Sequence, residues 1–116
     1  MNVRQLADFL DLRVAAGGKQ LDREVTGGYC GDLLSDVMAN APLGGVWMTV
    51  QSHPNIVAVS VLREMAAVIL TGGRAPDPDT VSKADLEGIP ILLWPGSAFE
   101  LAGRLYTAGV GAHPPE

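Results

Sequence analysis

Val46-Trp47-Met48-Thr49-Val50-Gln51-Ser52-His53-Pro54 is the stretch on which the fold turns. A continuous apolar run ends in a short polar loop, and a proline opens the next segment. The run is short and bounded by turn signals, which reads as a buried strand. The segment after the proline carries conflicting signals. Ile56, Val57, Val59 and Val61 are β-branched and favour a strand by propensity. Pro54 favours a helix start, because its missing N–H would be unpaired there in any case. Ala67-Val68-Ile69-Leu70 is a second apolar run, and a parallel pair needs a crossover between the two. We therefore read residues 54–65 as a helix, which makes the chain α/β.

The same pattern recurs along the chain. Val25 runs into Thr26-Gly27-Gly28, Leu70 into Thr71-Gly72-Gly73, and Ile89-Pro90-Ile91-Leu92-Leu93-Trp94 into Pro95-Gly96-Ser97. Loops leaving the carboxyl ends of parallel strands gather on one sheet edge, where ligands usually bind. Val3, Leu6, Phe9 and Leu10 have helical spacing, so residues 2–10 are expected to be a helix. Leu12, Val14 and Ala16 alternate as in a strand, and a second short strand is expected around Glu24-Val25. A helix over 32–39 has Asp32 as its N-cap. Asp77 and Pro78 open a helix that runs to Glu87 and stops at Gly88. Ser97 and Glu100 fit a capping box for a helix over 98–107 that buries Phe99, Leu101, Ala102 and Leu105. The expectation is one three-layer α/β domain over residues 1–108. It has a largely parallel central sheet with helices on both faces, and residues 109–116 form a flexible tail.

The 116 residues suffice for one domain with its own core. Hydrophobic residues make up 47% and charged residues 18%, which excludes a disordered chain and points to self-association. The net charge is −5, and the 8 Lys and Arg residues are scattered, which argues against nucleic-acid binding. One cysteine, Cys30, excludes an internal disulfide and any Cys-pair metal motif. No signal-peptide pattern starts at Met1, and no apolar run reaches the ~20 residues that span a bilayer. A cytoplasmic protein without membrane association is expected, with no metal and no cofactor.

Recognisable catalytic machinery is missing. The Gly27-Gly28, Gly44-Gly45 and Gly72-Gly73 pairs lack the lysine and hydroxyl of a P-loop, and there is no G-x-S-x-G elbow. His113 lies in the tail, so His53 is the one histidine placed for acid–base work. Thr49, Gln51 and Ser52 stand beside it. Thr26-Gly27-Gly28 and Thr71-Gly72-Gly73 have the form of loops whose amides hold an anion, or whose glycines simply permit positive φ. With Ser97, these residues make up the expected ligand site at the strand-end edge, with no catalytic residue assigned. Cys30 sits beside Asp32, a setting that opposes a reactive thiolate.

Arg23-Glu24-Val25-Thr26-Gly27-Gly28, followed by Asp32-Leu33-Leu34-Ser35, resembles the DRTGG domain family, with Arg-Glu-Val-Thr-Gly-Gly standing for Asp-Arg-Thr-Gly-Gly. The resemblance continues through Thr49-Val50-Gln51-Ser52-His53, Ile69-Leu70-Thr71-Gly72-Gly73, Gly88-Ile89-Pro90-Ile91 and Phe99-Glu100-Leu101-Ala102. It implies a fold like the amino-terminal domain of HPr kinase/phosphorylase. It also implies a non-catalytic regulatory or dimerisation role, as in DRTGG domains beside phosphate acetyltransferase domains or the CBS modules of pyrophosphatases. Stand-alone relatives occur near iron-hydrogenase and redox-sensing genes. The expected function is a non-catalytic regulatory module, ligand-sensing or dimerising, with a homodimer as its assembly and a small anionic metabolite as its ligand at the carboxyl edge of the sheet. One alternative is an adaptor for a redox enzyme or a signalling kinase. Another is a small enzyme built on His53, with Thr49, Gln51 and Thr71 positioning substrate.

Overall fold

The computed structural model describes residues 1–112. The helices are α1 (Val3–Leu10), α2 (Leu34–Asn40), α3 (Asn55–Leu62), α4 (Pro78–Glu87) and α5 (Ala98–Thr107). The strands are β1 (Arg13–Ala16), β2 (Gly28–Cys30), β3 (Val46–Thr49), β4 (Ala67–Leu70) and β5 (Ile91–Leu93). They form one five-stranded sheet in the order β1-β5-β4-β3-β2. β2 through β5 pair in parallel, and β1 pairs antiparallel to β5 with an irregularity between Val14 and Ala16. The β-branched segment after Pro54 is a helix, as the crossover demands. The expected α/β fold with helices on both faces is the one observed.

Side-chain alternation along the inner strands divides the core into two layers. Val46, Met48, Ala67, Ile69 and Leu92 face α1 and α5. Trp47, Val68, Leu70 and Ile91 face α2, α3 and α4. Every residue of β3 and β4 is buried. This is why those strands are continuous apolar runs rather than alternating ones. Each fully buried Leu or Ile contributes roughly 1.5–3 kcal/mol from burial.

β4, α4 and α5 have the expected bounds. Gly88 ends α4 in the left-handed conformation at φ 71°. Several local expectations change. No strand forms at Glu24-Val25. Glu24 makes only an isolated bridge to Asn2, and the next strand starts at Gly28. Asp32 does not cap α2, which begins after Leu33 without a side-chain cap, because its carboxylate is engaged across the sheet edge. Ser97 accepts from the Glu100 amide at 3.2 Å, but the Glu100 carboxylate reaches Arg104 at 3.1 Å instead of closing the box. Phe99 is 90% exposed, not buried. Leu101 and Leu105 take the inward face of α5, and Phe99 lies about 200° around the helix from Leu101. The core also extends past residue 108. Val110 is buried against it, and the Gly111 carbonyl accepts from the Gly28 amide at 2.7 Å. The rest of the expected tail, 113–116 with His113, lies outside the described residues.

Candidate ligand site at the carboxyl edge

The loops leaving β2, β3, β4 and β5 are bonded to one another. Asp32 Oδ1 accepts from Thr49 Oγ1 at 2.7 Å and from the Val50 amide at 2.9 Å. Gln51 Nε2 donates to the Asp32 carbonyl at 3.0 Å. The Ser52 carbonyl accepts from Thr80 Oγ1 at 2.7 Å and from the Asp77 amide at 3.1 Å. The Gly72 amide donates to the Gly96 carbonyl at 2.8 Å. These bonds tie each loop to its neighbour. Thr49, Gln51, Ser52, Thr71, Gly72, Gly73 and Ser97 all stand on this edge.

The amides expected to cradle an anion are occupied. Thr71 N–H donates to the Thr49 carbonyl at 3.1 Å, Gly72 to Gly96, and Gly73 to the Trp94 carbonyl at 3.3 Å. Gly72 and Gly73 both have φ 72°, and a Cβ on Gly72 would meet nothing within 4 Å. Their positive φ is a backbone conformation that glycine adopts readily, and the space beside Gly72 is open. Ser97 is engaged as the cap of α5. His53 is exposed, and its Nδ1 accepts from the Asn55 amide at 3.3 Å. That amide belongs to its own turn, so the bond is a local one and supplies no second side chain for acid–base work.

Thr26, Gly27 and Gly28 lie elsewhere. Gly28 opens β2 rather than following a strand, so this turn sits at the amino edge of the sheet. There Thr26 Oγ1 donates to the Leu43 carbonyl at 2.6 Å, and the Gly27 carbonyl accepts from Val46 N–H at 2.9 Å. The turn is a splice between β2 and β3, and it does not share a site with the other candidates.

The opening at the carboxyl edge lies between β4 and β5. After β4 the chain turns to the face of α4, and after β5 it turns to the opposite face, into α5. Neighbouring loops that diverge this way leave a crevice, the position where open α/β sheets bind ligands. A cavity of about 430 Å³ lies there, walled by Gly73, Ala75, Leu93, Trp94 and Pro95. Its charged groups are Asp11, Arg13 and Arg74, and His53 is not among its lining residues. Among the described residues, the guanidinium bonds of the fold belong to Arg4, Arg23, Arg63 and Arg104. Arg13 and Arg74 are thus exposed and without a protein partner in that set. Trp94 is held by Nε1 donating to the Ser97 carbonyl at 3.0 Å, with the Arg104 guanidinium 5.5 Å from its ring centroid.

A second cavity, about 340 Å³, lies at the amino edge beside Arg23, Ser60, Glu64 and Glu87. Arg23 there donates to the Met65 carbonyl at 3.4 Å. The carboxyl ends of α3 and α4 and the two glutamates make that opening unfavourable for an anion. Cys30 is exposed, but partial burial pushes its thiol pKa up, and the Asp32 carboxylate adds to the shift.

Of the residues that line this cavity, Gly73 alone belongs to the site expected from sequence; Asp11, Arg13, Arg74, Ala75, Leu93, Trp94 and Pro95 do not. Arg74 directly follows Gly72-Gly73 and was open to that reading. Arg13 was not, because only the antiparallel register Arg13↔Leu93 brings it to this edge.

No protein-family model matches the chain, and no curated protein matches it. Among solved structures, the chain is similar to the CBS and DRTGG domains of the regulatory region of Clostridium perfringens pyrophosphatase, crystallised with its activator diadenosine tetraphosphate. The identity is 16% and the TM-score 0.70, over 97% of this chain and 47% of that one. The chain thus spans about half the length of that structure. The likeness establishes a shared fold.

Proposed function

We propose that this chain is a non-catalytic regulatory module of the DRTGG type that binds a small anionic metabolite in the crevice between the β4 and β5 loops. The observation that carries this reading is the pair of guanidiniums, Arg13 and Arg74, without a partner among the described residues, on one mostly apolar cavity where the two loops diverge. Ligand sites are typically apolar hollows with a few convergent polar groups, in a size range of about 300–1,000 Å³. The similar fold of a regulatory region crystallised with a nucleotide activator supports a sensing role. No helix among the described residues is long and apolar enough to cross a membrane.

The module acts as a homodimer in this reading. Phe99, Gly103 and Tyr106 recur at helical spacing on the outward side of α5, and Phe99 and Tyr106 are 90% and 73% exposed. Phe9 of α1 lines a cleft with Gly103 and is itself 66% exposed. The same stripe also favours a second reading, an adaptor that docks another protein there.

Thermal unfolding against nucleotides, acyl phosphates and other small anions tests the sensing role. A ligand at 100 times its Kd stabilises the fold by about 2.7 kcal/mol. A melting shift that Arg13→Gln and Arg74→Gln reduce, and His53→Ala does not, is the expected result. No shift from any anion would leave the adaptor reading in its place.

A further inference from the structure

We propose that the ligand of the β4–β5 crevice is a nucleoside monophosphate, an inference that rests on the anion-sensing reading. The cavity makes three separate chemical demands, and this class of small anion meets all of them.

The first demand is charge. Arg13 and Arg74 present two permanent positive charges on one cavity. The loop amides at Thr71, Gly72 and Gly73 are already bonded, so the two guanidiniums are the cavity's cationic groups for an anion. Guanidiniums match phosphate oxygens in pairs. With the ionised Asp11 carboxylate the three charged side chains sum to +1, so charge asks for an anion, and the three terminal oxygens of a phosphate monoester can serve two guanidiniums at once where a carboxylate has only two oxygens.

The second demand is bulk. At about 430 Å³ the cavity is far larger than an inorganic anion. Leu93 and Pro95, with the small part of the otherwise buried Trp94 that is exposed, form an apolar wall that a sugar phosphate would leave wet. Trp94 is held in place by its Ser97 bond and by Arg104. A planar base laid against a fixed wall gains apolar contact with little loss of freedom in the protein.

The third demand is a donor. Asp11 stands on the same cavity, held in the left-handed conformation at φ 55° where α1 ends. An ionised carboxylate only accepts hydrogen bonds. Beside two arginines that hold an anion, it would repel a ligand carrying nothing but acceptors. Ribose hydroxyls supply donors to it, and an acyl phosphate has none.

The test is calorimetric titration of the chain with AMP, GMP, CMP and UMP, with the four matching nucleosides, and with ribose 5-phosphate, acetyl phosphate and inorganic phosphate. Arg13→Gln, Arg74→Gln and Asp11→Asn are titrated alongside. All three side chains are exposed, so each variant should melt with the parent, which a thermal scan verifies. At least one nucleotide should bind once per chain. Its own sugar phosphate and nucleoside should each bind about tenfold or more weaker, a difference of ~1.4 kcal/mol. Each arginine variant should weaken the nucleotide by a similar factor and leave its nucleoside unchanged. Asp11→Asn should weaken the nucleotide more than it weakens inorganic phosphate.

Ribose 5-phosphate binding as tightly as any nucleotide would overturn the proposal and leave anion sensing standing. So would stabilisation by an acyl phosphate alone. Nucleotide binding indifferent to both arginines would overturn it by moving the site. Failure of every anion, nucleotides included, would overturn both readings.

Discussion

Asp32 Oδ1 lies 2.7 Å from Thr49 Oγ1, so one carboxylate oxygen joins the end of β2 to the end of β3. The same oxygen accepts the Val50 amide at 2.9 Å. Thr49 is 2% exposed, so its hydroxyl has little access to water. Asp32→Ala should therefore cost about 1–3 kcal/mol, because it strands a buried donor. Thr49→Val leaves an exposed carboxylate that water can serve, and also takes the acceptor from the Gln51 amide, which donates to Thr49 Oγ1 at 3.2 Å, so it should cost about 1–2 kcal/mol. Urea unfolding of both single variants and the double variant checks this. The double should cost less than the sum of the singles. Additive costs would mean that the two groups do not act as a pair.

Two glycines separate conformational need from space. Gly17 and Gly72 have similar φ, 69° and 72°. A Cβ on Gly17 would lie 2.2 Å from the Ile89 carbonyl oxygen, whereas one on Gly72 meets nothing within 4 Å. Gly72→Ala should cost about 1 kcal/mol from its left-handed backbone alone. Gly17→Ala adds a clash with backbone and should cost about 3 kcal/mol or more. Equal denaturation midpoints for the two variants would contradict this.

Ser60 is wholly buried, and among the described residues its Oγ has no hydrogen-bond partner. A buried hydroxyl without a partner opposes folding. Ser60→Ala should therefore be neutral or stabilising by up to about 1 kcal/mol, against the usual direction for a core substitution. A clear loss of stability would contradict this reading of the hydroxyl.

The outward stripe of α5 bears on assembly. Phe99→Ser and Tyr106→Ser remove side chains that are 90% and 73% exposed, so the stability of the separated chain should change by less than about 0.5 kcal/mol. Sedimentation equilibrium should show a dimer for the parent and a monomer for the double variant. A parent that is monomeric at all concentrations would remove the dimer from the proposed function.

Cys30 should react slowly despite its exposure. Its pKa is raised by partial burial and then by the Asp32 carboxylate, so the thiol stays protonated at neutral pH. Thiolate is the reactive form. Alkylation by iodoacetamide at pH 8 should run slower than for a free thiol of pKa about 8.5. Asp32→Asn removes a negative charge, lowers the thiol pKa and should speed the reaction. An unchanged rate would show that burial alone sets the shift.

Local chemistry was enough to read the fold class and most of the element bounds. Ala67-Val68-Ile69-Leu70 is apolar at every position because β4 is covered on both faces, and that condition is written in the residues themselves. Pro78 and Gly88 bracket α4 through their own backbone limits, and Ser97 starts α5 by bonding an amide three residues on. Each of these signals acts within about one helical turn. The edge on which a turn falls depends on strand register, which is set by pairing with residues far along the chain. Thr26-Gly27-Gly28 therefore looks like the other strand-end loops in sequence and yet lies at the opposite edge. The same holds for Arg13 and Arg74, distant in sequence and joined on one cavity only by the antiparallel pairing of β1 with β5. Asp32 has the local form of a helix cap, but the packed sheet brings Thr49 and the Val50 amide to its carboxylate instead. Tertiary contact decided these roles, because burial of the whole sheet outweighs the ~1 kcal/mol typical of a cap.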